Sequence, residues 1–291
     1  MDVLSDAIAV MRTGEPSSNR LRVGGEWCYR FAPYAGAGFH VVLRGTGWLL
    51  TEDEPVQLSP GDAVLLPRGA THVLSATPDG RRAVPFETAV DDPAGGTDLL
   101  CGKYRFDYSR AHFLVDGLPD VVHLPARVGE HTELRTAITL LGGEVHDSRP
   151  GRDAAVAGLL DLLLVYLVRA WFADHPQAGW PKALQDPEIA AALQALHADP
   201  ARAWRLEDLA AEVGLSRATL ARRFTALTGR APMAYLAWWR MATAARLLRD
   251  GDRALSAIAR QVGYGSPYAF SHAFKRHFGV APGQYRLSPA A

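Results

Sequence analysis

The last third of the chain is written twice, and that duplication constrains the fold more than any other feature. The segment Ala210 to Tyr235 recurs as Ala259 to Tyr285: Val213-Gly214 is answered by Val262-Gly263, and Phe224, Gly229, Ala231-Pro232 and Tyr235 by Phe274, Gly279, Ala281-Pro282 and Tyr285. One inserted residue near Gly265 accounts for the change of offset within the repeat. Each copy reads as a short amphipathic helix, a turn carrying Gly, and a second amphipathic helix capped by Ser216 or Ser266, because a Ser hydroxyl satisfies the free N–H groups of a first helical turn. This is a helix-turn-helix outline. Winding the second helix of copy one at about 100° per residue puts Leu220, Phe224 and Leu227 on one face and Ala218, Arg222 and Thr225 opposite. In copy two the same winding buries Phe270 and Phe274 and turns Tyr268, His272 and Lys275 outward.

A helix in a major groove needs such a face, since donors and acceptors read base edges while Lys and Arg meet phosphates. Either helix alone also fits a helical repeat with a merely solvated face; the duplication favours DNA. Pro232 to Asp250 reads as one helix between the copies, about 28 Å long at 1.5 Å per residue. Successive major-groove faces lie about 34 Å apart, so one rod can hold both reading helices near adjacent turns of a duplex.

These residues resemble the AraC/XylS regulators of bacterial transcription across 204–286. The resemblance lies in Leu206-x-x-Leu209-Ala210, Gly214-Leu215-Ser216, Leu220-x-x-x-Phe224, Gly229-x-x-Pro232 and Arg240-x-x-x-Ala244. It continues in Ile258-Ala259, Val262-Gly263-Tyr264, Phe270-x-x-x-Phe274-Lys275, Phe278-Gly279 and Pro282-x-x-Tyr285-Arg286. It implies base readout by Ala218, Ala221 and Arg222 and then by Tyr268, Ser271 and His272; Arg217, Arg223, Thr225, Lys275 and Arg276 are the candidate phosphate contacts on their own chemistry. It also implies RNA polymerase as a partner. Ala218 and Ala221 depart from a reading face: their methyl groups can touch only thymine methyls, so readout by the first helix rests mainly on Arg222.

Charge divides the chain in the same place. The 31 Lys plus Arg equal the 31 Asp plus Glu overall, yet residues 201–291 hold 14 against 5 and residues 1–200 hold 17 against 26. The basic third suits phosphate neutralisation and the acidic remainder does not. Two cysteines, Cys28 and Cys101, give neither a disulfide framework nor C-x-x-C metal spacing, which fits a cytoplasmic protein. The N-terminus reads as a short amphipathic helix, not a signal peptide. The apolar run Leu159 to Phe172 is broken by Asp161 and Arg169 and is expected not to span a membrane.

From Trp27 to about Asp107, short β-branched runs alternate with Gly and Pro turns, an all-β pattern. Strands are expected at Phe39 to Arg44, Val56 to Leu58 and Ala63 to Leu66, from His72, and around Cys101. Gly45-Thr46-Gly47 carries a hairpin signal, and Ser59-Pro60-Gly61-Asp62 places Pro and Gly at the centre of a type II turn. Gly61-x5-Pro67-x-Gly69-x2-His72 resembles the second motif of the cupin barrel, and the match is nearest to cupin domains fused to AraC-type DNA-binding domains, where the barrel is the sensor. Enzymatic cupins add a first motif of two His and a Glu; here the run Ala32 to His40 before Gly45 offers only His40 and no acid. A catalytic metal usually takes three protein ligands, so no metal, cofactor or catalytic residue is expected. His40 and His72 are candidates for a ligand pocket, with ordinary barrel histidines as the alternative. Some cupin-containing AraC-type regulators sense oxidants through cysteines, and Cys101-Gly102 resembles one such setting; Cys28 and Cys101 are therefore a candidate redox pair, against the reading of Cys101 as a small buried hydrophobe.

Helical periodicity returns at Glu130 to Leu141, where Gly142-Gly143 is expected to end the helix, and at Arg152 to Asp174. The second helix is apolar on more faces than one barrel covers, which points to a dimer interface. The expected architecture is α+β and multidomain: a cupin-like barrel with a helical dimerisation hairpin over 1–176, a Pro- and Gly-bearing linker at 177–187, and an all-α double helix-turn-helix domain over 188–291. The expected function is a non-enzymatic, homodimeric regulator that binds double-stranded DNA under the control of an unknown small molecule or oxidant. Two rivals are a cupin metalloenzyme with a DNA-binding appendage and a constitutive DNA binder with an inert barrel.

Overall fold

Alternating apolar residues between Gly and Pro turns fold, in the computed structural model, into two five-stranded sheets. The structure describes residues 2–12, 14–106, 115, 117–146 and 149–287. Its strands are β1 (Ser17–Val23), β2 (Cys28–Phe31), β3 (Gly36–Arg44), β4 (Gly47–Leu50), β5 (Val56–Leu58), β6 (Ala63–Leu66), β7 (His72–Ser75), β8 (Val84–Pro85), β9 (Thr97–Arg105) and β10 (Val122–Leu124). One sheet has the order β1-β9-β3-β6-β10 and the other β5-β4-β7-β2-β8. The pairs are antiparallel except β2 with β8. Because side chains alternate along a strand, Leu21, Val42, Leu66 and Leu99 of the first sheet meet Leu49, Leu58 and Leu74 of the second in one core. The alternate residues of the first sheet, Phe39, Val41, Leu100 and Tyr104, are buried on its other face. There the Tyr104 hydroxyl donates to the Leu160 carbonyl at 2.7 Å.

The turn at Ser59 to Asp62 has the expected form, with Gly61 at φ 88° and the Asp62 amide donating to the Ser59 carbonyl at 3.0 Å. Gly45-Thr46-Gly47 does not close a hairpin. β3 and β4 belong to different sheets, so this turn is a corner between them. A Cβ on Gly45 (φ 74°) would lie 2.6 Å from the Gly96 carbonyl oxygen, so the close crossing of two chain segments requires Gly here.

Helices α2 (Thr132–His146) and α3 (Arg152–Asp174) pack against each other. α2 runs through Gly142-Gly143 instead of ending there, since burial of Leu134, Ala137, Ile138 and Leu141 outweighs the weak helix propensity of two glycines. By length and composition α3 is long and apolar enough to cross a membrane, so Asp161 and Arg169 do not exclude that on those grounds. In the structure α3 contacts α2, β10 and β1, and its Leu160, Leu163, Leu164, Leu167 and Trp171 are buried.

Contacts divide the described residues into two units: 14–106 with 118–146 and 149–174, and 2–12 with 115, 117 and 175–287. Two features of the second unit depart from the expected boundaries. The stretch 177–187 is not a free linker: α4 (Gly179–Gln185) buries Trp180, Pro181 and Ala183 and packs on α5 (Pro187–Ala198) and α7 (Arg217–Thr228). The N-terminal helix α1 (Val3–Met11) groups with this unit and not with the barrel. It contacts α5 and α8 (Pro232–Arg249) through buried Val3, Leu4, Ala7 and Val10. At that contact His197 joins Asp6 (Nδ1 to Oδ2, 3.0 Å) to the Tyr235 hydroxyl (Nε2 to Oη, 2.7 Å) and stacks on Trp239 at 3.8 Å. Burial holds the His197 pKa below its ordinary value, against the pull of Asp6.

Candidate nucleic-acid interface and barrel pocket

The two copies of the repeat fold alike. Copy one is α6 (Leu206–Glu212) with α7, copy two is α9 (Leu255–Gln261) with α10 (Pro267–Phe278), and α8 runs between them. Gly214 and Gly263 sit in the turns at φ 70° and 79°, a region that favours Gly. Ser216 Oγ accepts from the Thr219 amide at 3.2 Å, and Ser266 Oγ from the Ala269 amide at 3.1 Å. Left-handed Gly229 and Gly279 end the helices. Phe224 meets Tyr235 edge-on at 5.6 Å and 71°, and Phe274 meets Tyr285 edge-on at 5.2 Å and 77°. α11 (Pro282–Leu287) supplies Tyr285 to the second core.

The helical period places the polar residues as the sequence reading had them. On α7, Leu220 and Phe224 are buried while Arg217, Ala218, Arg222 and Thr225 are exposed and Ala221 and Arg223 half-buried. On α10, Phe270 and Phe274 are buried, His272, Lys275 and Arg276 are exposed, Ser271 is half-buried and Tyr268 is 84% exposed. The two faces differ in what holds their charges. Arg217 pairs with Glu207 at 2.6 Å, and Arg223 bridges Asp186 and Glu188 at the start of α5. The Arg223 pair keeps the Asp186 carboxyl below its usual range although burial pushes the other way. Sequence reasoning missed these pairings; Asp186 and Glu188 lie outside the repeat, and Glu207 lies on α6. Among the described residues Arg222, Lys275 and Arg276 form no ion pair with an acid.

In the other unit the barrel holds a half-open cavity of about 500 Å³ with Phe31, Tyr34, Phe86, His40, His72 and Cys101 in its lining. His40 points into the barrel and is 3% exposed. Its Nε2 lies 2.7 Å from the Nε2 of His72, whose Nδ1 lies 2.8 Å from the Ala70 carbonyl oxygen. Burial pushes both imidazoles below their ordinary pKa, His40 well below, so both are neutral at pH 7. No carboxylate joins them: among the described residues no group of three or more His, Cys, Asp or Glu could hold a metal ion, and the donors present do not form the three-ligand set of a catalytic metal. Cys101 also lines the cavity, and burial pushes its thiol up to about 12; Cys28 is half-buried on β2, in the other sheet. The wall residues Phe31, Tyr34, Phe86, Asn19 and Lys103 were missed because four separate segments contribute them, and no local motif marks them.

A capped, duplicated helix pair with two outward polar faces, in one chain with a β-barrel that holds a pocket, defines a two-module DNA-binding protein. A family model described as Cupin matches residues 2–173, and one described as Helix-turn-helix domain matches residues 209–288. The chain is 39% identical to a putative AraC-like transcription regulator of Streptomyces lividans over 99% of both chains. It is 32% identical to the RCS-specific transcriptional activator RclR of Escherichia coli over 85% of this chain and 83% of that one. Among solved structures, the DNA-binding domain of AdpA in complex with a target DNA is 37% identical over 35% of this chain and 90% of its own, with a TM-score of 0.33. The chain belongs to the AraC-like transcription regulators, with a cupin domain followed by a helix-turn-helix domain. It is a DNA-binding transcription regulator, and its curated relatives are regulators too.

Proposed function

We propose that a small molecule bound in the barrel controls how the two helix-turn-helix modules engage an operator. The observation that carries this reading is the cavity of about 500 Å³, within the range of small-molecule sites, floored by two neutral histidines. Arg222 on α7, with Ala218 and Ala221 beside it, and Tyr268, Ser271 and His272 on α10 read bases. Lys275, Arg276 and Thr225 meet phosphates; Arg217 and Arg223 contribute less, because acids already hold them. The chain works in the cytoplasm as a homodimer and contacts RNA polymerase. The dimer face is α2 with α3, where Leu140 and Leu162 are exposed beside Leu159 and Tyr166. A sedimentation experiment returning only monomer at micromolar concentration would reject the dimer.

The effector reading is supported over the oxidant reading by Cys101. A thiol at about 12 holds almost no thiolate at neutral pH, and thiolate is the species that oxidants attack. Iodoacetamide at pH 8 is expected to alkylate Cys28 in the folded protein and Cys101 only after unfolding; rapid labelling of Cys101 would revive the redox pair. The functional test is fluorescence anisotropy on the gene's own upstream DNA at two salt concentrations, with candidate small molecules and with hypochlorite. Specific, salt-sensitive binding that a small molecule changes and oxidant does not is the expected result. Binding indifferent to every small molecule would favour the constitutive binder.

A further inference from the structure

We propose that the barrel pocket selects a planar, uncharged ligand carrying one hydrogen-bond donor, of the phenol type, whose hydroxyl donates to His40 Nδ1; this rests on the reading of the barrel as the effector site. The direction of the hydrogen bonds fixes the demand. A carbonyl only accepts, so His72 Nδ1 carries a proton and donates to Ala70. In a neutral ring that leaves Nε2 of His72 as a lone pair, and His40 Nε2, 2.7 Å away, donates into it. His40 Nδ1 is then a bare acceptor. It is buried and has no hydrogen-bond partner among the described residues, which is costly until a donor arrives.

Strand register shows the layer of the cavity in which His40 lies. Asn19, Cys101 and His40 form one row across β1, β9 and β3. Below it Leu21, Leu99 and Val42 close the core, and above it Ser17, Lys103 and Gly38 form the next row. A ligand entering past that upper row reaches the His40 row and stops at an apolar layer. Its body is shaped by rings: Phe31 stacks on Phe86 at 4.3 Å and lies parallel to His72 at 4.7 Å and 7°. A flat aromatic extends that stack. The charged residues in the lining, Glu87 and Lys103, are both exposed and opposite in sign. A carboxylate set against His40 would oppose acceptor to acceptor, whereas a hydroxyl donates.

The experiment is calorimetric titration of the full chain with 2-naphthol and with 2-methoxynaphthalene, which keeps the ring system and removes the donor. The wild type is expected to bind naphthol about tenfold more tightly, the order of one well-placed hydrogen bond. His40→Phe, shown to be folded by its circular dichroism and a cooperative thermal transition, should erase the preference, and His40→Gln, which keeps an acceptor, should restore part of it. Equal binding of the two probes by the wild type, binding of neither, or a preference that survives in a folded His40→Phe protein would overturn the proposal. If naphthol binds through His40 but leaves DNA affinity unchanged at saturation, the ligand proposal stands and the effector reading fails.

Discussion

The two helix-turn-helix copies share a scaffold and differ in their faces. Both use a Ser cap, two buried apolar anchors, a left-handed Gly and an edge-on Phe–Tyr contact. On α7, however, Ala218 and Ala221 offer no hydrogen bonds, and Arg217 and Arg223 are held by acids of the same unit. On α10, Tyr268, His272, Lys275 and Arg276 are exposed and free of ion pairs with acids among the described residues. The buried anchors of the two copies hold the same scaffold, while their outward faces carry different side chains. On the proposed reading, readout depends on a single long side chain in copy one, Arg222, and on a whole face in copy two.

The largest effects test the shared half of this comparison. Phe224→Ala and Phe274→Ala should each destabilise by about 3–5 kcal/mol, as expected for a fully buried ring, seen as a lowered thermal midpoint. A difference of several kcal/mol between the two would break the equivalence of the scaffolds. Next, Arg222→Ala should weaken operator binding by about 1–3 kcal/mol and relax sequence preference at its own base pairs only. Lys275→Ala should weaken all sequences alike and reduce the slope of log affinity against log salt by about 0.9. The smallest effect is expected for Arg223→Ala: an ion pair near the surface is worth about 0–1 kcal/mol, and the salt slope should change less than for Lys275→Ala. A larger change would place Arg223 on a phosphate in spite of Asp186 and Glu188.

The same contrast explains what the sequence could reveal. Helical periodicity depends on neighbours three and four residues apart, so the inward Phe224 and Phe274 and the outward Arg222 and His272 were legible from spacing alone. Strands were legible where turns bound them, as at Ser59 to Asp62. Their assignment to sheets was not: Gly45-Thr46-Gly47 has the composition of a hairpin, and only packing against Gly96 and Thr97 makes it a corner. Contacts between distant positions were also hidden. The Asp6–His197 bond spans 191 positions, and nothing in the amphipathic pattern of residues 3–11 names its partner. Trp180 likewise looked like part of a linker, because Pro and Gly around it outweighed one large apolar side chain that the fold buries. His40 and His72 could be named as a pair, but their contact and bare Nδ1 required the barrel.

The central claim is that one rigid duplicated unit reads two successive major-groove faces, with Arg222 alone carrying the first. Methylation interference on the operator, comparing wild type with Arg222→Ala, tests it most directly. The account predicts two clusters of interfering guanines about 10 base pairs apart on one side of the duplex, with the cluster under α7 lost in the variant and the cluster under α10 unchanged. A single cluster in the wild type, or two clusters that both survive Arg222→Ala, would contradict it.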